Sequence, residues 1–221
     1  MISIAIDGPA GAGKSTMAKK LAAKLQYIYV DTGALYRSIG YYVIQKGKDP
    51  GLETDVESCL PEIQIELQFI DNTQHVFLNG EDVSDRIRTA EMSMAASKVS
   101  AFPAVRKFLF DIQRSFAKKY NIVMDGRDIG TVVLPNAKLK IFLTASAEDR
   151  AKRRYDEMIE KGQDVTYEAV LEDLKQRDYN DTHREISPLK PAEDSVLVDT
   201  TGLTLDEGVM KILEVVESVI H

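Results

Sequence analysis

Cysteine is almost missing from this chain of 221 residues: Cys59 stands alone, so no intrachain disulfide can form, which suits a reducing compartment. Histidine is equally scarce. His75, His183 and His221 are scattered, which excludes the Cys and His clusters that hold zinc. No uncharged apolar run approaches the roughly 18 residues of a membrane span. Residues 1–7 (MISIAID) lack a basic segment and reach an acid too early for a secretory signal. Basic residues are in the minority, 28 Lys and Arg against 35 Asp and Glu, for a net charge of −7. That balance argues against a protein that coats nucleic acid or anionic membrane through bulk charge. Internal repeats, low-complexity tracts and long linkers are also wanting. What is present, 44% hydrophobic and 29% charged residues, is the composition of a cytoplasmic globular protein, and the length suits one domain with an insertion.

The hydrophobic pattern opens as strand, loop, helix, strand, helix. ISIAI at 2–6 is a short β-branched run ended by Asp7 and a Gly-rich segment. Met17, Leu21 and Leu25 share one face of a helix from Ser15 to Leu25; IYVD at 28–31 reads as a second buried strand, and 34–46 as a second helix. This is the start of a doubly wound α/β domain. The period then falls to two. Ile63, Ile65, Leu67 and Phe69 alternate with polar residues, as do Val76 and Leu78, with DNTQ between the runs, which predicts a small antiparallel hairpin. Helical patterning covers 88–119 with a break at Pro103. Strands are expected at 121–125, 139–143 and 195–199, and helices at about 147–161, 166–180 and 204–219.

The strongest chemical signal is Gly8-Pro9-Ala10-Gly11-Ala12-Gly13-Lys14-Ser15, followed by Thr16, which fits the phosphate-loop pattern G-x-x-x-x-G-K-[ST]. Glycines let successive N–H groups turn into one concavity that accepts phosphate oxygens, and the following helix adds the positive end of its dipole. Lys14 supplies a point charge to the β and γ phosphates, and the Ser15 hydroxyl suits Mg²⁺ carried with ATP. An apolar strand before the loop and a helix after it supply the required context. A GTPase would add an NKxD segment, which the chain lacks. A motor ATPase would add a longer strand ending in Asp-Glu, whereas IVMD at 122–125 ends in Asp125 and Gly126.

Six of the 11 arginines lie between 127 and 184: Arg127, Arg150, Arg153, Arg154, Arg177 and Arg184. In an acidic protein this concentration calls for an anionic partner, and the planar guanidinium binds two phosphate oxygens at once. Arg150 and Arg154, four apart on one helix face with Arg153 beside them, read as a mobile lid closing over the triphosphate. The competing account is a solvated helix in which they pair with Glu148, Asp149, Asp156 and Glu157. Arg37 and Arg106 suit a phosphate on the acceptor. Asp125-Gly126-Arg127-Asp128-Ile129-Gly130-Thr131 follows a buried strand, where open α/β sheets collect ligands. Arg127 and Asp128 set a donor fork beside an acceptor, which could read a cytosine edge. Guanine also offers donors to a carboxylate, and Asp128 could instead cap a turn or pair with Arg127. Asp125 and Asp31 are candidates for holding magnesium through water, with turn capping as the alternative.

With these residues assembled, nearly the whole chain resembles the bacterial cytidylate kinases, in the nucleoside monophosphate kinase group. The likeness rests on IAIDGPAGAGKST at 4–16, DTGALYR at 31–37, GEDVSDRIR at 80–88, AASKVSAFPAVR at 95–106, DGRDIGTVV at 125–133, KIFLTAS at 140–146 and RDYND at 177–181. It implies a five-stranded parallel P-loop core (1–60 and 101–221), an enlarged monophosphate-binding insertion at about 61–100 with a small antiparallel sheet, and an Arg-rich lid at about 150–185. It also implies a monomer that transfers the γ phosphate of ATP to CMP or dCMP. Carried over by position, the monophosphate contacts fall on Thr32, Arg37, Ser97, Arg106, Arg127, Asp128, Arg177, Asp181 and Arg184. Thr32 stands where some members have Ser, and Ser15 where some have Gly.

The acceptor would already be a phosphate oxyanion, so no general base is expected. Charge on the moving group would be spread over Lys14, Mg²⁺, Arg127, Arg150 and Arg154. A shikimate-type kinase, with a carboxylate base, and a nucleotide sensor without turnover remain as alternatives.

Overall fold

In a computed structural model, the structure describes residues 1–70 and 73–220. Asp71 and Asn72, half of the DNTQ link, and His221 lie outside the described residues. The chain divides into two compact units. One is Met1–Tyr29 with Asn121–His221, and the other is Val30–Tyr120.

The first unit carries β1 (Ser3–Asp7), α1 (Lys14–Leu25), most of a parallel sheet built with β6 (Ile122–Gly126), β7 (Leu139–Thr144) and β8 (Val196–Asp199), and helices α6 (Ala147–Glu160), α7 (Tyr167–His183) and α8 (Leu205–Ile220). With β2 (Ile28–Asp31), in which the boundary falls, the five strands run in the order β2-β6-β1-β7-β8. The sheet is parallel and flanked by helices, the fold class expected. β1 pairs in register with β6 (Asp7 with Gly126) and with β7 (Asp7 with Phe142). Ile4, Ala5 and Ile6 are fully buried, which is why this strand reads as an unbroken apolar run rather than an alternating one. Met17 and Leu21 of α1 and Ile212 and Val216 of α8 pack on Ile4, Ile6 and Ile141. α6 starts at Ser146, whose side chain accepts from the Asp149 N–H, and α7 starts at Thr166, which accepts from the Ala169 N–H.

The second unit holds α2 (Thr32–Gln45), α3 (Glu53–Cys59), the antiparallel sheet β3 (Ile65–Ile70), β4 (Thr73–Leu78) and β5 (Glu81–Asp82), and helices α4 (Ala90–Val99) and α5 (Pro103–Lys119). The hairpin read from period two is present, and β4 takes in Thr73 and Gln74 of the expected link. α2 begins at Thr32 rather than 34, because Asp31 caps it by accepting from the Ala34 N–H. α3 has no counterpart in the hydrophobic pattern, because at seven residues it is too short to show a period. The unit contains the whole 61–100 segment. Leu35 and Ile39 of α2, Val56 of α3 and Leu109 of α5 share one apolar core with Ile65 and Leu78 of the sheet, so these helices fold with the hairpin.

Among the described residues no helix is long and apolar enough to cross a membrane.

Candidate active site

The phosphate loop leaves β1 at Asp7 and enters α1 at Lys14. Gly8 is dictated by a close approach: a Cβ there would stand 1.9 Å from the Leu143 carbonyl oxygen. Gly13, at φ 83°, caps α1 in the left-handed region without a side-chain hydrogen bond, so the first turn keeps its N–H groups for an anion. The Lys14 side chain is buried and its Nζ donates to the Pro9 carbonyl at 2.6 Å. Burial, and next the charge of Arg127, hold the Lys14 pKa well below the ordinary lysine range. Such an ammonium is short of compensating negative charge, which a triphosphate supplies.

Asp125 ends the buried part of β6 beside this loop. Ser15 Oγ donates to one of its oxygens at 2.7 Å and the Tyr29 hydroxyl to the other at 2.9 Å. A hydroxyl and a buried carboxylate side by side are hard oxygen donors of the kind that suits Mg²⁺, which usually takes one or two carboxylates and fills its remaining positions with water and phosphate. These residues fit the ion. Among the described residues no group of three or more His, Cys, Asp and Glu could hold a metal by itself. Asp31, the other candidate, is spent on capping α2 and on an ion pair with Arg37 at 2.8 Å.

Two residues beyond Asp125, Arg127 donates through Nε to Asp181 at 2.7 Å. Burial opposes the Arg127 charge, but Asp181, Asp125 and Asp178 outweigh it and hold its pKa above the ordinary value. Asp181, buried on α7, is held below the ordinary carboxylate range: Arg127, Arg184 and Arg177 overcome the cost of burial. Asp128 does not pair with Arg127, as one sequence reading allowed; its carboxylate stands 4.0 Å from Arg184, and both side chains are about 5% exposed. Arg184 also reaches Asp181 at 3.7 Å. Arg177 lies 3.8 Å from Asp173, and its buried Nε has no hydrogen-bond partner among the described residues. Burial, and then the like charge of Arg127, hold the Arg177 pKa below that of an ordinary arginine. Three guanidiniums, Arg127, Arg184 and Arg177, thus gather around the buried carboxylate of Asp181.

The three arginines of α6 separate. Arg150 is buried and donates to the carbonyls of Ala145 and Ala10 and to Asp178. Arg153 donates to the carbonyls of Thr200 and Leu203. Arg154, a third exposed, pairs with Glu157 at 2.9 Å, the solvated-helix arrangement. Ala10 itself packs with Ala151 of α6 and Leu174 of α7, so in this structure the expected lid helices rest on the phosphate loop.

In the second unit, Thr32 is buried in the first turn of α2, Arg37 follows on the same helix, and Ser97 lies on α4 with a buried hydroxyl that has no hydrogen-bond partner among the described residues. Arg106 of α5 donates to the Ser100 carbonyl at 3.0 Å and lies over the Tyr36 ring. Gln74 exchanges hydrogen bonds with the backbone of Asp31 and so steadies the start of α2.

Sequence reasoning passed over Tyr29 and Asp178. Tyr29 carried no motif signal; Asp178 lay inside RDYND, between two residues that were assigned.

The cytidylate kinase family profile matches residues 4–218. The cytidylate kinase of Caldicellulosiruptor bescii is 50% identical over 219 residues, covering 99% of this chain and 97% of that protein. That of Bacillus subtilis is 50% identical over 216 residues, covering 98% and 96%. Among solved structures, an uncharacterized protein from Eubacterium ventriosum superposes with a TM-score of 0.54 at 15% identity over 99% of both chains, a likeness of fold alone. On its phosphate loop, on the residues that loop meets, and on a match that spans nearly its whole length, the chain belongs to the cytidylate kinase family.

Proposed function

We infer that the protein transfers the γ phosphate of ATP to CMP, giving ADP and CDP, and that dCMP is accepted in the same way. One observation carries the assignment of residues. The end of β6 sets Asp125 on Ser15 of the phosphate loop and, two residues on, Arg127 on Asp181 of α7, so donor and acceptor groups issue from one strand end. Phosphoryl transfer between phosphates needs alignment and charge stabilisation, and no base has to remove a proton.

The loop from Gly8 to Thr16 is assigned to the triphosphate. Its N–H groups cradle the phosphates, and Lys14, already buried, pays little reorganisation when the anion arrives. Ser15 and Asp125 are the groups that would hold magnesium, whose chemistry when bound is to neutralise charge on the β and γ oxygens. Arg127, Arg177 and Arg184 are assigned to the monophosphate, with Asp128 and Asp181 orienting them and offering acceptors to the base and sugar. Thr32, Arg37, Ser97 and Arg106 carry the same assignment by likeness to the family. Arg150 and Arg154 were expected to stabilise the moving group; the contacts of Arg150 favour a role in holding the loop instead. The scarcity of cysteine supports a cytoplasmic setting, and likeness to the family supports a monomer.

A coupled assay with ATP and Mg²⁺ against CMP, dCMP, UMP, AMP, GMP and shikimate tests this reading. Turnover is expected with CMP and dCMP well above the others. Phosphorylation of shikimate, or nucleotide binding without turnover, would overturn it.

A further inference from the structure

The peptide between Pro9 and Ala10 is held from both sides. Its carbonyl accepts from Lys14 Nζ at 2.6 Å, and its N–H donates to Asp178 Oδ1 at 3.3 Å. A peptide is planar and trans, so its C=O and N–H point in opposite directions, and fixing one aims the other. The other oxygen of Asp178 pairs with Arg150 at 2.6 Å. Arg150 in turn donates to the Ala10 carbonyl at 2.7 Å and, through Nε, to the Ala145 carbonyl at 2.9 Å. Both backbone groups of Ala10 are thus held by two side chains that are paired with each other, and the Ala10 methyl is buried between α6 and α7.

We propose that Asp178 is a positioning residue for donor phosphate: through the Pro9–Ala10 peptide it aims the carbonyl that holds the Lys14 ammonium, with Arg150 as its brace. This rests on the assignment of the loop to ATP and deepens it. Asp178 touches neither nucleotide in this scheme; it acts through Lys14.

Asp178→Asn keeps the shape of the side chain and weakens both contacts. The expected result is a KM for ATP raised about tenfold, since small displacements of aligned groups are costly, with the KM for CMP within about twofold of wild type. In a Lys14→Ala background, Asp178→Asn should add nothing, because the two changes break one chain of contacts. A merely structural role would give multiplying effects in the double variant. An unchanged KM for ATP, or a lower one because the carboxylate competes with phosphate for the Ala10 N–H, would overturn the proposal. Should the Asn variant not fold, Asp178→Glu, which keeps the charge toward Arg150 and displaces the carboxylate from Ala10, reads the same split. Wild-type turnover of ATP with CMP, measured in parallel, separates a failure of this proposal from a failure of the functional assignment.

Discussion

Asp7 lies at the end of β1, almost fully buried, and its two oxygens accept from the N–H groups of Ile129 at 2.8 Å and Gly130 at 2.7 Å. It thereby ties the DGRDIGTVV loop to the strand that launches the phosphate loop. Burial raises its pKa from 3.8 to about 6 against the two N–H bonds; Asp128 adds to the rise and Lys14 opposes it. Between about pH 4 and 6 the folded protein therefore keeps a proton that the unfolded chain has released. The contribution of Asp7 to stability should fall as pH rises through that window, by about 3 kcal/mol in all. Denaturant unfolding at several pH values should show it as the difference in slope between the wild type and Asp7→Asn. Lys14 behaves differently, because its ammonium is buried at a cost and is assigned here to the triphosphate. Lys14→Ala should lower kcat by on the order of 10²–10³ with no loss of thermal stability, checked by turnover and by the circular dichroism melting temperature.

The helices of the second unit owe their limits to local chemistry and their spacing to side-chain size. Asp31 caps α2, Thr89 caps α4 by accepting from the Met92 N–H, and Pro103 opens α5. Gly40 lets α2 and α4 approach: a Cβ there would stand 2.7 Å from the Ala95 Cβ. Gly40→Ala should therefore destabilise the protein by about 1–2 kcal/mol, the cost of overpacking less the better helix propensity of alanine. Urea unfolding measures it. A gain in stability would mean that the two helices can move apart without loss.

The chain as a whole carries a charge of −7 and yet is assigned two polyanionic ligands. The contradiction disappears once charge is considered locally: Lys14, Arg127, Arg177 and Arg184 are gathered where burial strengthens their fields, while most acids stay on the surface. Calorimetry with a non-hydrolysable ATP analogue and CMP should find one of each per chain, with CMP still binding one per chain when the analogue is saturating. Mutually exclusive binding would contradict the transfer between two bound nucleotides.

The phosphate loop, the sheet strands and the hairpin were legible along the chain because each depends on neighbours within a few residues: glycine spacing, an apolar run, a period of two. The family likeness rested on such contiguous motifs. Pairings between distant segments could not be read in that way. Ser15 meets Asp125 across 110 positions, Ala10 meets Asp178 across 168, and Arg127 meets Asp181 rather than its neighbour Asp128. Arg150 and Arg154 share a helix face, but only Arg150 is buried against the loop, whereas Arg154 is a third exposed and pairs with Glu157. Spacing states which residue types are available; which of them lose water and face one another is settled by packing, and burial is what gives these charges their chemistry.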